Sequence, residues 1–225
     1  MKNLDKSRLA SARSLSRSLT SWLVLCVLLI SACSFAKKED IQAPVKPTAS
    51  SKNVLIVYLS RTNNTKAVAG IIHQEVGGSL IALELQTPYP ENYQAIVQQV
   101  ARENETGFLP PLRTRIHNIA QYDVIFVGFP TWGMQLPPPM KSFLKQYDLR
   151  GKTLVPFNTN AGYGVGTSMQ MVKALAPNST VLEGFSTRGG IERDGVLFVM
   201  EGNKEKQVQQ EVRAWLQKIN LLSKQ

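Results

Sequence analysis

The chain has 225 residues, of which 43% are hydrophobic and 19% charged. That is an ordinary globular balance, sufficient for one core-forming unit with extensions and short for two large domains. Its 26 Lys and Arg outnumber 16 Asp and Glu, but Lys2, Lys6, Arg8, Arg13 and Arg17 all precede the first apolar run. The excess is therefore concentrated in a targeting segment and does not by itself indicate a nucleic-acid-binding surface.

Residues 22–30 (WLVLCVLLI) form an uninterrupted apolar stretch followed by the small residues Ser31 and Ala32. The stretch is too short to cross a bilayer as a helix and has the charge pattern of a signal peptide. Leu29-Ile30-Ser31-Ala32-Cys33 resembles the bacterial lipobox. The resemblance implies cleavage after residue 32 and lipidation of Cys33, with the protein exported and anchored in the cell envelope. Ser34 after the cysteine resembles outer-membrane sorting where two membranes exist. Cys26 is then discarded and Cys33 acylated, so the mature domain has no thiol for a disulfide. Taking the five bases and Asp5 from the totals of 26 and 16 leaves 21 and 15, a net +6. This modest charge suits a surface near an anionic membrane, and an exported protein is not expected to meet nucleic acid.

The expected organisation is a signal peptide over 1–32, the lipidated cysteine and a flexible tether over 33–52, and a folded domain over 53–225. The tether reading rests on a Lys, Pro, Ala, Ser and Gln composition without apolar periodicity. From residue 53 onward, short β-branched runs alternate with amphipathic stretches, as in a parallel sheet with crossover helices. Strands are expected at 54–59, 80–85, 123–129, 153–157 and 180–185, the first, third and fourth being nearly continuously apolar. Val68, Ile71 and Ile72 mark the inner face of a first helix. Tyr93, Ile96, Val97 and Val100 recur at helical spacing, as do Met140, Phe143, Leu144 and Tyr147. Val208, Val212, Trp215, Leu216 and Ile219 define the last helix. All of these apolar stripes are assigned to the core. Residues 195–200 form another β-like run that either extends the fifth strand or pairs separately.

Ligands of an open parallel sheet bind beyond the carboxyl ends of the strands, so the informative residues follow the apolar runs. After the first strand come Ser60, Arg61, Thr62, Asn63, Asn64, Thr65 and Lys66. Three hydroxyls and free backbone N–H groups at a helix start can surround a phosphate. Neither GxGxxG nor GxxxxGK[ST] is present there, which disfavours dinucleotide and P-loop readings. After the third strand, Pro130, Thr131, Trp132 and Gly133 precede Met134 and Gln135. A Trp at a strand's carboxyl end offers a flat face to an aromatic ligand. After the fourth strand, Asn158, Thr159, Asn160, Gly162, Tyr163 and Gly164 supply amides, a hydroxyl and close backbone approach for the polar edge of a heterocycle.

The chain resembles the flavodoxin-like superfamily through Tyr89-Pro90-Glu91-Asn92-Tyr93, Tyr122-Asp123-Val124-Ile125-Phe126-Val127-Gly128 and Gly151-Lys152-Thr153. The resemblance covers essentially the whole folded domain. It implies an α/β three-layer sandwich with a five-stranded parallel sheet of order 2-1-3-4-5 and an FMN site. In that site Ser60, Thr62 and Thr65 match the hydroxyl positions of the phosphate loop, while Asn63 stands where the family has glycine. Asn tolerates a positive φ best after glycine. Trp132 is then expected to stack on the flavin, Gly133 to serve as a flexible peptide joint, and Tyr163 to cover the other ring face. Met134 and Gln135 are neutral where many flavodoxins carry acids, which implies a less negative reduction potential.

The resemblance implies electron transfer, or an FMN-dependent NAD(P)H or quinone oxidoreductase, with a redox partner protein or a small-molecule electron acceptor. The alternative is a non-catalytic envelope lipoprotein that retains the fold. His73 and His117 lack neighbouring ligands for a metal site. A phospho-acceptor domain would need clustered acids after the first strand, where Leu59-Ser60-Arg61 stands instead.

Overall fold

The computed structural model describes residues 52–223. The expected signal peptide and Cys33 lie outside these residues, as does the tether except for Lys52. The chain runs β1 (Val54–Tyr58), α1 (Asn64–Val76), β2 (Ser79–Ala82), α2 (Tyr93–Thr106) and β3 (Val124–Pro130). It continues through α3 (Pro138–Gln146), β4 (Thr153–Asn160), α4 (Ser168–Leu175), β5 (Thr180–Val181), β6 (Phe185–Arg188) and α5 (Gly202–Lys218). The sheet order is β2-β1-β3-β4-β5, all parallel, with β6 pairing to β4. This is the expected 2-1-3-4-5 topology with a sixth strand added.

The central strands are apolar on both faces because helices cover both. Leu55, Val57, Ile125, Val127, Phe129 and Leu154 point into one layer with Met140, Phe143, Leu144 and Val172 of α3 and α4. Ile56, Val124, Phe126, Val155 and Phe157 point the other way, against Val68 and Ile72 of α1 and Val208, Val212 and Trp215 of α5. The period-two alternation along each strand thus separates two cores across one sheet.

Three strands depart from expectation by more than one residue. β2 ends at Ala82, and beyond it Leu85 makes only an isolated antiparallel bridge to Leu112. β4 runs on to Asn160, so Asn158 and Thr159 belong to the strand, both buried. The fifth strand is split into β5, beside Thr153 and Leu154, and β6, beside residues 157–160. Pro156 lies opposite the gap, and its missing N–H removes a donor from the ladder there. Gly184 in the gap sits so close to Pro156 and to Met169 Sδ that a Cβ would lie 3.1 and 2.9 Å from them. Residues 195–200 form no strand; Val196 makes one isolated bridge to Ile191, and Val196, Leu197 and Phe198 are exposed.

Candidate functional site

A cavity of about 510 Å³ opens at the carboxyl end of the sheet, on the loops after β1, β3 and β4. This is the position where the strand order reverses and open α/β sheets take their ligands, and the volume is in the usual range for small-molecule sites. Arg61, Thr62, Asn64, Thr65, Pro130, Thr131, Trp132, Gly133, Thr159 and Asn160 all line it. Ser60, Asn63, Asn158, Gly162, Tyr163 and Gly164 stand outside its lining.

The first loop turns through Asn63, whose φ of 63° is left-handed, and α1 starts at the next residue. Asn at this position therefore meets the backbone demand that a glycine would otherwise meet. No backbone N–H from Arg61 to Thr65 donates to a protein acceptor among the described residues. Ser60 Oγ accepts from the Lys66 N–H at 3.2 Å and Thr62 Oγ1 from the Asn64 amide at 2.9 Å, so both hydroxyl protons remain to be donated. Thr65 and Thr159 share a buried hydroxyl contact of 2.8 Å that ties the loop to β4. These converging donors at a helix N-terminus fit a phosphate.

Two polar side chains of this loop fasten it to the rest of the site. The Asn64 amide donates to Leu197 O at 2.6 Å, and its oxygen accepts from Val199 N–H at 3.1 Å. Arg61 pairs with Glu192 at 2.6 Å and also donates to the carbonyls of Pro90 and Glu91. Its guanidinium is thereby committed to protein partners, which leaves the Arg61 backbone as its free donor.

The second loop is a tight hairpin in which Trp132 and Gln135 exchange backbone hydrogen bonds of 3.3 and 3.1 Å. Gly133 and Met134 between them have φ of 56° and 58°, the pattern of a type I′ turn. Trp132 stands edge-on to Tyr89, with ring centroids 5.5 Å apart and planes at 83°. The Tyr89 hydroxyl donates to buried Glu103, and burial together with this bond raises its pKa above the ordinary phenol value. Lys141 donates to Asn104 Oδ1 at 2.7 Å and to Gln135 Oε1 at 3.0 Å, and burial lowers its pKa.

In the third loop the fully buried Asn158 donates to Phe129 O and Thr131 Oγ1, bracing the second loop. Asn160 Oδ1 accepts from the N–H groups of Gly162 and Gly164, folding the loop over its own side chain. Tyr163 is 64% exposed, and its hydroxyl accepts from Arg193 at 3.2 Å. The residue expected as a second aromatic cover is therefore exposed and is not part of the cavity lining.

The wall facing these loops is α2. Tyr93, Ile96, Val97 and Val100 line the cavity, and Ile96 and Val100 belong to neither core cluster. Ile96 and Val100 are buried, as their assignment to the core expects, while Val97 is exposed. Helical spacing identifies a shared face and is silent on whether that face meets a sheet or a ligand space. The sequence reading missed several lining residues, among them Ala101, Asn104 and Glu105 of α2 and Gly189, Gly190 and Glu192. A Cβ at Gly190 would lie 2.3 Å from two backbone carbonyl oxygens, so the adjacent glycines were the available signal.

A doubly wound sheet with a phosphate-competent loop, a ring-presenting loop and a cavity at its switch point defines a ligand-binding protein of the flavin type. The family model described as Flavodoxin matches residues 53–202, and the chain belongs to that family. Its fold is shared by a candidate flavoprotein from Bacteroides eggerthii, at 26% identity and TM-score 0.61, covering 75% of this chain and 98% of that one. A flavoprotein from Lactobacillus acidophilus, crystallised in complex with FMN, is 22% identical with TM-score 0.55, covering 64% of this chain and 98% of that one. A search of curated protein sequences gives no match.

Proposed function

We propose that this chain is an FMN-dependent redox protein of the cell envelope, passing electrons to a partner protein or to a small-molecule acceptor such as a quinone. The observation that carries the reading is that Arg61, Thr62, Asn64 and Thr65, whose backbone N–H groups are unpaired among the described residues, line the same cavity as Trp132. The first supports binding of a phosphate, the second binding of a planar heterocycle. Bound FMN would supply the electron chemistry, and the protein would set its orientation and surroundings.

The chain's own residues then divide the work. Residues 61–65 and the Ser60 and Thr62 hydroxyls hold the phosphate. Trp132, braced by Tyr89 and through it by Glu103, presents a ring to the isoalloxazine. Asn158 holds Thr131 and so fixes the angle of the hairpin. The neutral Met134 and Gln135 and the nearby Lys141 ammonium favour a less negative reduction potential than an acid-rimmed site would. The left-handed Asn63 removes the main argument for a silent fold, because the substitution for glycine is accommodated.

Titration of the purified protein with FMN, read by quenching of flavin fluorescence, tests the reading. A stoichiometric complex is expected, weakened at least tenfold by Ser60→Ala combined with Thr62→Val. Failure of the wild-type protein to take up FMN overturns it. The envelope location is a separate proposal resting on the lipobox-like residues 29–33. Labelling with radioactive palmitate should mark the wild-type protein and leave Cys33→Ser unmarked.

A further inference from the structure

An arginine beside a phosphate site usually binds the phosphate itself, through its fork of donors. Every nitrogen of the Arg61 guanidinium is instead turned to the protein. Nε donates to Glu192 Oε1 at 2.6 Å, Nη1 donates to Pro90 O at 3.1 Å, and Nη2 donates to Glu91 O. The ion pair is largely sheltered, with both side chains 21% exposed. Glu192 lines the same cavity as the phosphate loop, and its other oxygen, Oε2, has no protein partner among the described residues.

A carboxylate in that place opposes a phosphate in two ways. It repels the incoming charge, and it is an acceptor that competes for the N–H groups of residues 61–65, which have no protein acceptor of their own. The segment that carries the acid is also held beside the loop by contacts other than the ion pair. The Asn64 amide donates to Leu197 O at 2.6 Å, and the Val199 N–H donates to Asn64 Oδ1 at 3.1 Å. A Cβ on Gly189 would meet the Asn64 side chain at 3.3 Å, and one on Gly190 would lie 2.3 Å from the carbonyl oxygens of Val196 and Leu197. Glu192 sits between these fastened points in a single 3₁₀ turn, so its charge stays next to the phosphate loop with or without Arg61.

We propose that Arg61 serves phosphate binding indirectly: it cancels the charge of Glu192 and holds that carboxylate off the N–H groups of residues 61–65, and makes no bond to the phosphate. This role rests on the flavin reading of the same cavity. Arg61 is a positioning residue that acts through Glu192, and phosphate affinity thereby depends on an acid 131 positions along the chain and outside the three ligand loops.

Fluorescence titrations with FMN and with riboflavin, the same molecule without the phosphate, separate this role from a general structural one. Arg61→Met should weaken FMN at least tenfold and leave riboflavin within about twofold of the wild type, because only the phosphate meets the uncancelled charge. The FMN deficit should shrink as salt is raised. Adding Glu192→Gln to Arg61→Met should restore FMN affinity to within about threefold of the wild type, the acid then being gone. Arg61→Gln, which keeps a donor for the backbone carbonyls, takes the place of Arg61→Met where the latter fails to fold. FMN affinity that stays low in the double variant overturns the proposal, because Arg61 would then be holding the phosphate itself. A parallel fall in riboflavin affinity overturns it as a loss of structure, and an Arg61→Met protein that binds FMN like the wild type overturns it outright. Wild-type protein that takes up neither flavin fails the flavin reading instead, a result distinguishable in the same titrations.

Discussion

At Asn63 a single dihedral decides whether the first loop can form. Its φ of 63° is costly for most side chains, and Asn is among the few that visit the region readily. Asn63→Gly should therefore be close to neutral, whereas Asn63→Val should cost about 1–2 kcal/mol and weaken FMN binding. Urea denaturation and flavin titration of the two variants check this pair. Met134 is the contrasting position, an exposed Met at φ 58° in the second hairpin. Met134→Gly should relieve about 1–2 kcal/mol of backbone strain, of which the freer unfolded chain takes back about 0.5–1 kcal/mol, for a net gain in stability; a higher urea midpoint at unchanged slope is expected. The residue types of the phosphate loop were legible in the sequence, but their division of labour was not. Hydroxyls at Ser60, Thr62 and Thr65 look equivalent in a string of letters. Only packing shows that Thr65 is spent on Thr159 while the other two retain a free proton.

Among the elements, the contact between the second and third loops has no slack. A Cβ on Gly166 would lie 1.9 Å from the Met134 carbonyl oxygen, and that oxygen also accepts the Thr167 N–H at 3.0 Å. Gly166→Ala should push the hairpin off the start of α4 and weaken FMN binding more than tenfold. The sheet itself should persist, so far-ultraviolet circular dichroism should be retained while flavin affinity is lost. Topology and the central strands were readable in advance because continuous apolar runs and their spacing are long-range signals. Strand ends were less so. Asn158 and Thr159 are polar and resemble a loop, yet β4 carries them inward because each has a partner waiting at Thr131 or Thr65. The split between β5 and β6 depends on Pro156, which sits on the neighbouring strand and leaves no mark within residues 180–188 themselves. α2 was legible as a helix with Ile96 and Val100 on its buried face, but the cavity which that face also lines is set by loops distant in sequence.

For the whole molecule, alkaline pH is a sensitive probe of the buried polar groups. Tyr89 and Tyr58 both have pKa values raised by burial above the ordinary 10.0, so their stabilising effect is complete below that value. It is lost progressively as pH rises beyond 10, where the unfolded chain releases phenolic protons that the folded one keeps. Lys141 works in the opposite sense: with its pKa lowered from 10.5, the cost of burying its charge fades as pH rises toward that value. Stability should therefore decline above pH 10.5, where the two phenols outweigh one amine. Tyr89→Phe should flatten that decline, as followed by urea midpoints between pH 8 and 11.

The interrupted margin of the sheet affects how crowded copies behave. An open strand edge invites a neighbouring chain to continue the ladder, and long uninterrupted edges are the hazardous ones. Along β5 and β6 such a neighbour would find two residues, a break enforced by Pro156, and four more. At the opposite margin β2 offers four. Neither border gives an incoming strand enough length to seed a shared fibril, so a concentrated population of these molecules is guarded against cross-β growth by its own punctuation.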